Sequence, residues 1–253
     1  MKITILGSGA SSGSPLMGEE MPDNPKNIRT RASIFIEGKE TNILVDTSPD
    51  LRAQALAARI KKIDAVIYTH THADHIHGID DIKSFAYRKK APIPAYGDKQ
   101  SMDDLTTRFA YCFAEVPTES GWVRPYMRPN IIEPGREFEI GEFKITPFTQ
   151  LHTKNMDSLG FRINDFVYST DVKSFPAGSE EYLKDIKLWV VDCLKADASK
   201  THSDINQTLT WIKRYKPQHS VLTHLSYELD YEVLKRNLPP HIEPAYDGMV
   251  LEA

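Results

Sequence analysis

Ile67-Tyr68-Thr69-His70-Thr71-His72-Ala73-Asp74-His75 breaks an apolar run with three histidines and one carboxylate inside six residues. The run leading into it, Asp64 to Thr69, has the length and β-branched content of a buried strand. Beyond it, Ile76, Ile79, Ile82 and Phe85-Ala86 recur at helical spacing, which places the cluster at a strand-to-helix junction. On such a turn, residues two apart aim at one point and the next pair aims at another. His70 and His72 are therefore expected on one cation, Asp74 and His75 on a second. A lone histidine is most often a surface or core residue. Four metal-competent side chains in one turn are costly to bury without a cation to satisfy them.

Two cations need more ligands, and a sheet supplies them at the ends of its strands. His152 follows the expected strand Phe143 to Phe148, Asp171 follows Phe166 to Ser169, and His224 ends Ser220 to Thr223. The expected sets are His70, His72 and His152 on one divalent ion and Asp74, His75 and His224 on the other, with Asp171 bridging both. Two such ions about 3.5–4 Å apart activate water for attack at neutral pH. Asp46 closes the apolar strand Asn42 to Asp46 and is expected to orient a ligand. Imidazole and carboxylate donors admit zinc or manganese. Neither cysteine belongs to a pair with zinc-knuckle spacing. Cys112 and Cys193 lie in apolar contexts and read as buried free thiols.

The rest of the chain alternates strands and helices without an internal repeat or linker. Strands are expected at Lys2 to Leu6, Ala32 to Ile36 and Ile93 to Tyr96, with helices at Pro49 to Arg59 and Lys99 to Phe109. Tyr111 to Asn130 reads as an irregular aromatic segment. There Phe113, Trp122, Tyr126 and Met127 would wall a pocket, form a homodimer contact or join the core. Further strands are expected at Glu137 to Ile140, Ser158 to Ile163 and Leu188 to Asp192. Helices follow at Asp204 to Tyr215 and Tyr231 to Asn237, and a last strand pair near Glu243 to Ala245 and Met249 to Leu251. Two groups of strands, each followed by helices, predict an α/β fold of two mixed sheets packed face to face with helices outside. At 253 residues and 40% hydrophobic content, one domain over 1–253 is expected. A net charge of -4 gives no overall pull toward nucleic acid or anionic lipid. With no apolar run near the length of a membrane span and too short an apolar N-terminus for a secretory signal, the protein is expected to be cytoplasmic.

Two features bear on the substrate. The first strand ends in the small-residue loop Gly7 to Pro15, whose Ser11 and Ser12 are candidate substrate contacts. Near the C-terminal third, Ser203 reads as the N-cap of a helix carrying Ile205, Leu209 and Ile212. His202 then stands at a helix N-terminus, where anions bind favourably. Arg29 and Arg31 read as solvated, with a substrate anion as the alternative partner.

The motif His70-x-His72-x-Asp74-His75, with Asp46 upstream and His152, Asp171 and His224 downstream, resembles the metallo-β-lactamase-fold hydrolases over nearly the whole chain. That resemblance implies the four-layer αβ/βα sandwich with two metals at the sheet edge. Thr201 to Asn206, Leu222 to Asp230 and Tyr246-Asp247-Gly248-Met249 further resemble the phosphoribosyl cyclic phosphate phosphodiesterases of the PhnP family. In those enzymes the histidine matching His202 contacts phosphate and serves as general acid. One departure stands out: the cysteine-rich structural zinc segment of those enzymes is matched here by Leu16 to Asn27, which holds no cysteine.

The reading is therefore metal-dependent hydrolysis of a small, cyclic phosphodiester. Asp74 and His202 take part in the chemistry and Asp204 orients His202. A transfer-RNA 3′-processing nuclease is the nearest alternative, but no compact basic, Gly-rich arm is present to bind nucleic acid. A thioesterase or lactamase leaves His202 unexplained, and a non-catalytic binding relative would be expected to have lost ligands.

Overall fold

The computed structural model describes residues 1–115 and 125–253. Alternation inside the strands decides its architecture. In β1 (Lys2–Gly7), β2 (Ser33–Glu37), β3 (Asn42–Val45) and β4 (Ala65–Ile67), side chains such as Ile34, Ile36, Ile43, Val45 and Ile67 enter one apolar cluster. Their neighbours Phe35, Leu44 and Val66 enter another. The two-residue period thus sends each strand into two cores, which is why the strands read as continuous apolar runs.

β5 (Ile93–Gly97) and β6 (Met127–Ile131) extend this sheet on one side, and β14 (Val250–Glu252) lies on the other, in the order β14-β1-β2-β3-β4-β5-β6. The second sheet comprises β7 (Phe138–Ile140), β8 (Phe143–Gln150), β9 (Ser158–Ile163), β10 (Phe166–Ser169), β11 (Leu188–Asp192), β12 (His219–Thr223) and β13 (Ile242–Pro244). Its order is β13-β12-β11-β10-β9-β8-β7. Among the described residues each sheet has seven strands and is half antiparallel, half parallel.

The cluster between the sheets joins Ile36, Ile67, Phe161, Tyr168 and Val190. Burying each such side chain stabilises the fold by about 1.5–3 kcal/mol relative to leaving it exposed. Outside the first sheet lie α1 (Leu51–Ala57), α2 (Ala73–Ile76), α3 (Lys83–Lys89), α4 (Lys99–Arg108) and α5 (Ala110–Phe113). Outside the second lies α6 (Ile205–Tyr215), whose Ile212, Leu209, Trp211 and Tyr215 pack on Trp189, Val191 and Leu222, while α7 (Tyr231–Asn237) adds Leu234. The expected α/β arrangement of two mixed sheets with outer helices, the four-layer αβ/βα sandwich, is the one observed.

The structure corrects several local expectations. Met127–Ile131 is a strand paired in parallel with β5, although Pro129 interrupts its donors; that is tolerated because β6 is an edge strand. Of the readings offered for the aromatic segment, the core is the one observed for Tyr126 and Met127, which lie in the cluster with α4 and α5, and Phe113 packs against it; Trp122 lies outside the described residues. The two last strands do not pair with each other. β13 joins β12 and β14 crosses back to β1, because each sheet has a free edge there. Both cysteines are free and buried, as expected. No helix among the described residues is long and apolar enough to cross a membrane.

Candidate metal centre

The sandwich delivers the chemistry to one edge. Asp46 follows β3, His70 and His72 follow β4, His152 follows β8, Asp171 follows β10, Asp192 ends β11 and His224 follows β12. Asp46, Asp171 and His224 each have positive φ, at 63°, 54° and 58°. Left-handed backbone is strained for a residue with a Cβ and persists where the surroundings over-determine it. It turns each side chain back over the end of its own strand.

Three imidazole nitrogens converge first. His72 Nδ1 lies 2.9 Å from His70 Nε2 and 3.1 Å from His152 Nε2. Asp171 Oδ1 is 3.8 Å from the former and 3.7 Å from the latter. The outer edges of two rings are fixed elsewhere: His70 Nδ1 is 3.0 Å from Thr69 Oγ1, and His152 Nδ1 donates to the Thr201 carbonyl at 2.9 Å. His152 therefore turns a lone pair inward, the tautomer a metal ligand needs.

The second group shares Asp171. His75 Nε2 lies 3.1 Å from Asp171 Oδ2 and 3.3 Å from Asp74 Oδ2, and His224 Nε2 lies 3.4 Å from Asp171 Oδ1 and 3.6 Å from Asp74 Oδ2. His75 Nδ1 is held by Asp46 Oδ2 at 2.7 Å, and Asp46 also accepts from the Thr69 amide and hydroxyl, each at 2.8 Å. Both sets, His70/His72/His152/Asp171 and Asp74/His75/Asp171/His224, bring one donor atom per residue to within 4.8 Å of the others.

These donors fit divalent cations. The Nε2 atoms of His75 and His224 are buried without a hydrogen-bond partner, and the clustered nitrogens of His70, His72 and His152 cannot all be satisfied by one another's protons. The electrostatics agree. Burial pushes His70 well below the ordinary imidazole value. Burial also opposes charge on His75, yet Asp171, Asp74 and Asp46 outweigh it and raise that ring well above its usual range. Burial likewise opposes the Asp171 carboxylate, but His224 and His75 hold it well below its own. A buried constellation of this sign balance is matched to positive charge at its centre.

His202 stands at the rim, its Nε2 3.9 Å from Asp171 Oδ1 and its ring stacked on His224 with centroids 4.7 Å apart. Burial disfavours its charge, but Asp192, at 3.0 Å from Nδ1, prevails and raises the imidazole to about 9. Asp204, expected to orient His202, does something else: it is the N-cap of α6 and accepts from the Gln207 amide at 3.0 Å. Ser203, expected as the cap, turns its hydroxyl to the Asp192 carbonyl. The cap shifts by one residue because aspartate accepts at N3 with full charge, so the helix end is already served by a carboxylate. Asp192 was missed, although an acid closing an apolar strand is the same signal that marked Asp46.

Ser11 and Ser12 are exposed on the turn of the Gly7 to Pro15 loop, and Gly9 of that loop pairs with Leu225, next to His224. Arg29 is buried and spends its guanidinium on the Ser226 and Leu229 carbonyls, while Arg31 pairs with Asp50. Arg29 is thus not the solvated residue expected from sequence, while Arg31 keeps partial exposure in its ion pair. His219 pairs with Glu243, away from the cluster.

Residues 41–225, which span the ligand positions from Asp46 to His224, match the model of the β-lactamase superfamily domain. The chain belongs to the β-lactamase superfamily. Among solved structures, this superfamily member is similar to a diphosphatase of the PhnP family, with a TM-score of 0.90 and 31% identity over 99% of this chain and 96% of that one. Among curated proteins it is 32% identical to an octanoyltransferase of Porphyromonas gingivalis, over 98% of this chain and 51% of that protein. It is also 27% identical to a ribonuclease Z of a Bradyrhizobium strain, over 54% of this chain and 45% of the relative. The chain thus spans about half the length of these two curated relatives. Fold, donor clusters and superfamily give it the metallo-β-lactamase fold, a likeness to the PhnP family and two donor groups that could hold metal ions.

Proposed function

We propose that the protein hydrolyses small phosphodiesters, with a sugar or nucleotide-like cyclic phosphate as substrate and two zinc or manganese ions as cofactors. The observation that carries this reading is His202, held protonated by Asp192 at the rim of the donor cluster. A thioester hydrolase expels a thiolate, which needs no such acid, whereas an alkoxide leaving phosphorus gains from a proton in the transition state.

His70, His72, His152 and Asp171 would hold one ion, and Asp74, His75, Asp171 and His224 the other. Such ions supply a nucleophile at neutral pH and neutralise charge on the phosphoryl oxygens. Asp46 fixes the His75 ring and the Thr201 carbonyl fixes His152, so the ligands reach the centre preorganised. His202 donates from Nε2 to the departing oxygen, while Asp192 on Nδ1 keeps the proton on the ring until it is needed. Ser11 and Ser12 offer hydroxyls to the rest of the substrate from the neighbouring loop.

A second reading rests on the likeness to a PhnP-family diphosphatase: the same residues would serve a diphosphate linkage, where the leaving group is itself a phosphate. The deciding experiment presents manganese-loaded and zinc-loaded protein with a ribose cyclic phosphate, a 2′,3′-cyclic nucleotide, a diphosphate-linked dinucleotide and a precursor transfer RNA. Turnover of the cyclic phosphates, lost in His202→Ala, is the expected result. Turnover confined to the dinucleotide selects the second reading. Activity confined to the RNA, or none, overturns both.

A further inference from the structure

The Tyr246-Asp247-Gly248-Met249 turn is far from the donor cluster in sequence and supplies none of its atoms, yet it is tied to it. Asp247 is half-buried, and each of its oxygens accepts two hydrogen bonds. Oδ1 accepts from the Ser8 amide at 2.9 Å and the Ser8 hydroxyl at 2.8 Å, and Oδ2 accepts from the Thr30 amide at 2.7 Å and the Thr30 hydroxyl at 2.6 Å. One carboxylate thereby joins the chain after β1 to the chain before β2.

The segment so anchored is the one that grips the backbone after His224. The Leu225 amide donates to the Ser8 carbonyl at 2.9 Å, and the Ala10 amide donates to the Leu225 carbonyl at 3.2 Å. Gly9 between them bridges Leu225 on one side and Arg31 on the other. His224 itself has φ 58°, a conformation that a side chain with a Cβ leaves unless its neighbours are pinned. Relaxation of that residue toward extended backbone would swing Nε2 away from Asp74 and Asp171.

We infer that Asp247 is a positioning residue for His224: through Ser8 and Leu225 it holds the left-handed turn that aims His224 at the second cation position. This rests on the assignment of His224 to a metal. It predicts a selective defect. Asparagine at 247 must turn an N–H donor toward a backbone N–H of Ser8 or Thr30, so it cannot accept all four bonds.

The test is manganese titration of the chelated full chain, followed by calorimetry and electron paramagnetic resonance, with His224→Ala as the reference for loss of the second ion. In Asp247→Asn, affinity for the first ion should stay within about twofold of wild type, and affinity for the second should fall about 10–100-fold, the range for loss of a ligand-orienting contact. Turnover should fall with it and recover when manganese is raised. A residue that merely stabilises the fold would lower the melting temperature and leave the two affinities in their original ratio. Equal affinities to wild type, or equal loss at both sites, would overturn the inference. Should Asp247→Asn not fold, Thr30→Val removes one of the four donors to Asp247, along with the bond from Gln54 Nε2 to the same hydroxyl, while sparing the backbone. It should weaken the second ion about threefold, and no change there would equally overturn the inference. Wild-type protein that binds no manganese would instead overturn the metal reading beneath it.

Discussion

Asp192 Oδ2 lies 3.0 Å from His202 Nδ1, and the same oxygen accepts from the Val172 amide at 3.1 Å and the Ser203 amide at 3.4 Å. A carboxylate so fixed cannot turn away, so the Nε2 edge of His202 is the one left facing the donor cluster.

In metal-free protein, His202 should titrate near about 9, raised from 6.5 against the effect of burial. The imidazolium is present below that pH and lost above it. The pairing accordingly stabilises the fold fully below the unfolded value of about 6.5, and this contribution fades as the pH rises through about 9. Histidine ring resonances followed by nuclear magnetic resonance read this directly, and in Asp192→Asn the transition should move down toward 6.5. Titration of wild-type His202 at or below that ordinary value would contradict the pairing. In metal-loaded protein the same substitution should lower kcat about 100-fold with KM nearly unchanged.

Asp171 faces both donor sets, whereas His72 faces one. Asp171→Ala should therefore lose both ions, with turnover falling at least about 1,000-fold, while His72→Ala should lose one. Metal content after gel filtration distinguishes the two variants. Retention of two ions by Asp171→Ala would refute a shared ligand.

Removing the Asp46 carboxylate leaves the Thr69 amide and the His75 ring without their buried partner. Breaking a buried charged contact of this kind costs about 3–5 kcal/mol. Denaturant unfolding of metal-free Asp46→Ala should show a loss of that size, together with a metal affinity about 10–100-fold weaker. A loss under about 1 kcal/mol would mean that the network carries little of the fold.

Gly78 ties the turn after Asp46 to α2. Its amide donates to the Thr47 carbonyl, and the Thr47 amide donates to the His75 carbonyl. A Cβ at Gly78 would fall 2.0 Å from the Ser48 carbonyl oxygen, so something must move. Gly78→Ala is expected to cost about 1–3 kcal/mol and to lower the melting temperature by several degrees. An unchanged melting temperature would show that the loop yields freely.

Much of this site is legible because its ligands sit where strands end. The apolar strand before His70 is marked by its length and β-branched content, the acid or histidine after β10 and β12 by their places at strand ends, and the two sheets by two groups of strands each followed by helices. What the sequence hides is contact at a distance. Asp192 and His202 are separated by a loop whose path no periodicity fixes, so Asp204, close in sequence, looked the better partner. Arg29 reads as a surface residue because nothing local announces that the Ser226 and Leu229 carbonyls need a donor. β6 escaped because Pro129 and an aromatic neighbourhood mask a strand that only its edge position permits.

The most direct test of the central claim is phosphodiester turnover. Chelated protein is resupplied separately with manganese and with zinc and assayed on bis(p-nitrophenyl) phosphate beside His202→Ala. Metal-dependent release of p-nitrophenol, reduced in the variant, is the predicted result. Because p-nitrophenolate leaves without much help from an acid, that reduction should be smaller than on a cyclic sugar phosphate. No release with either metal would contradict the account.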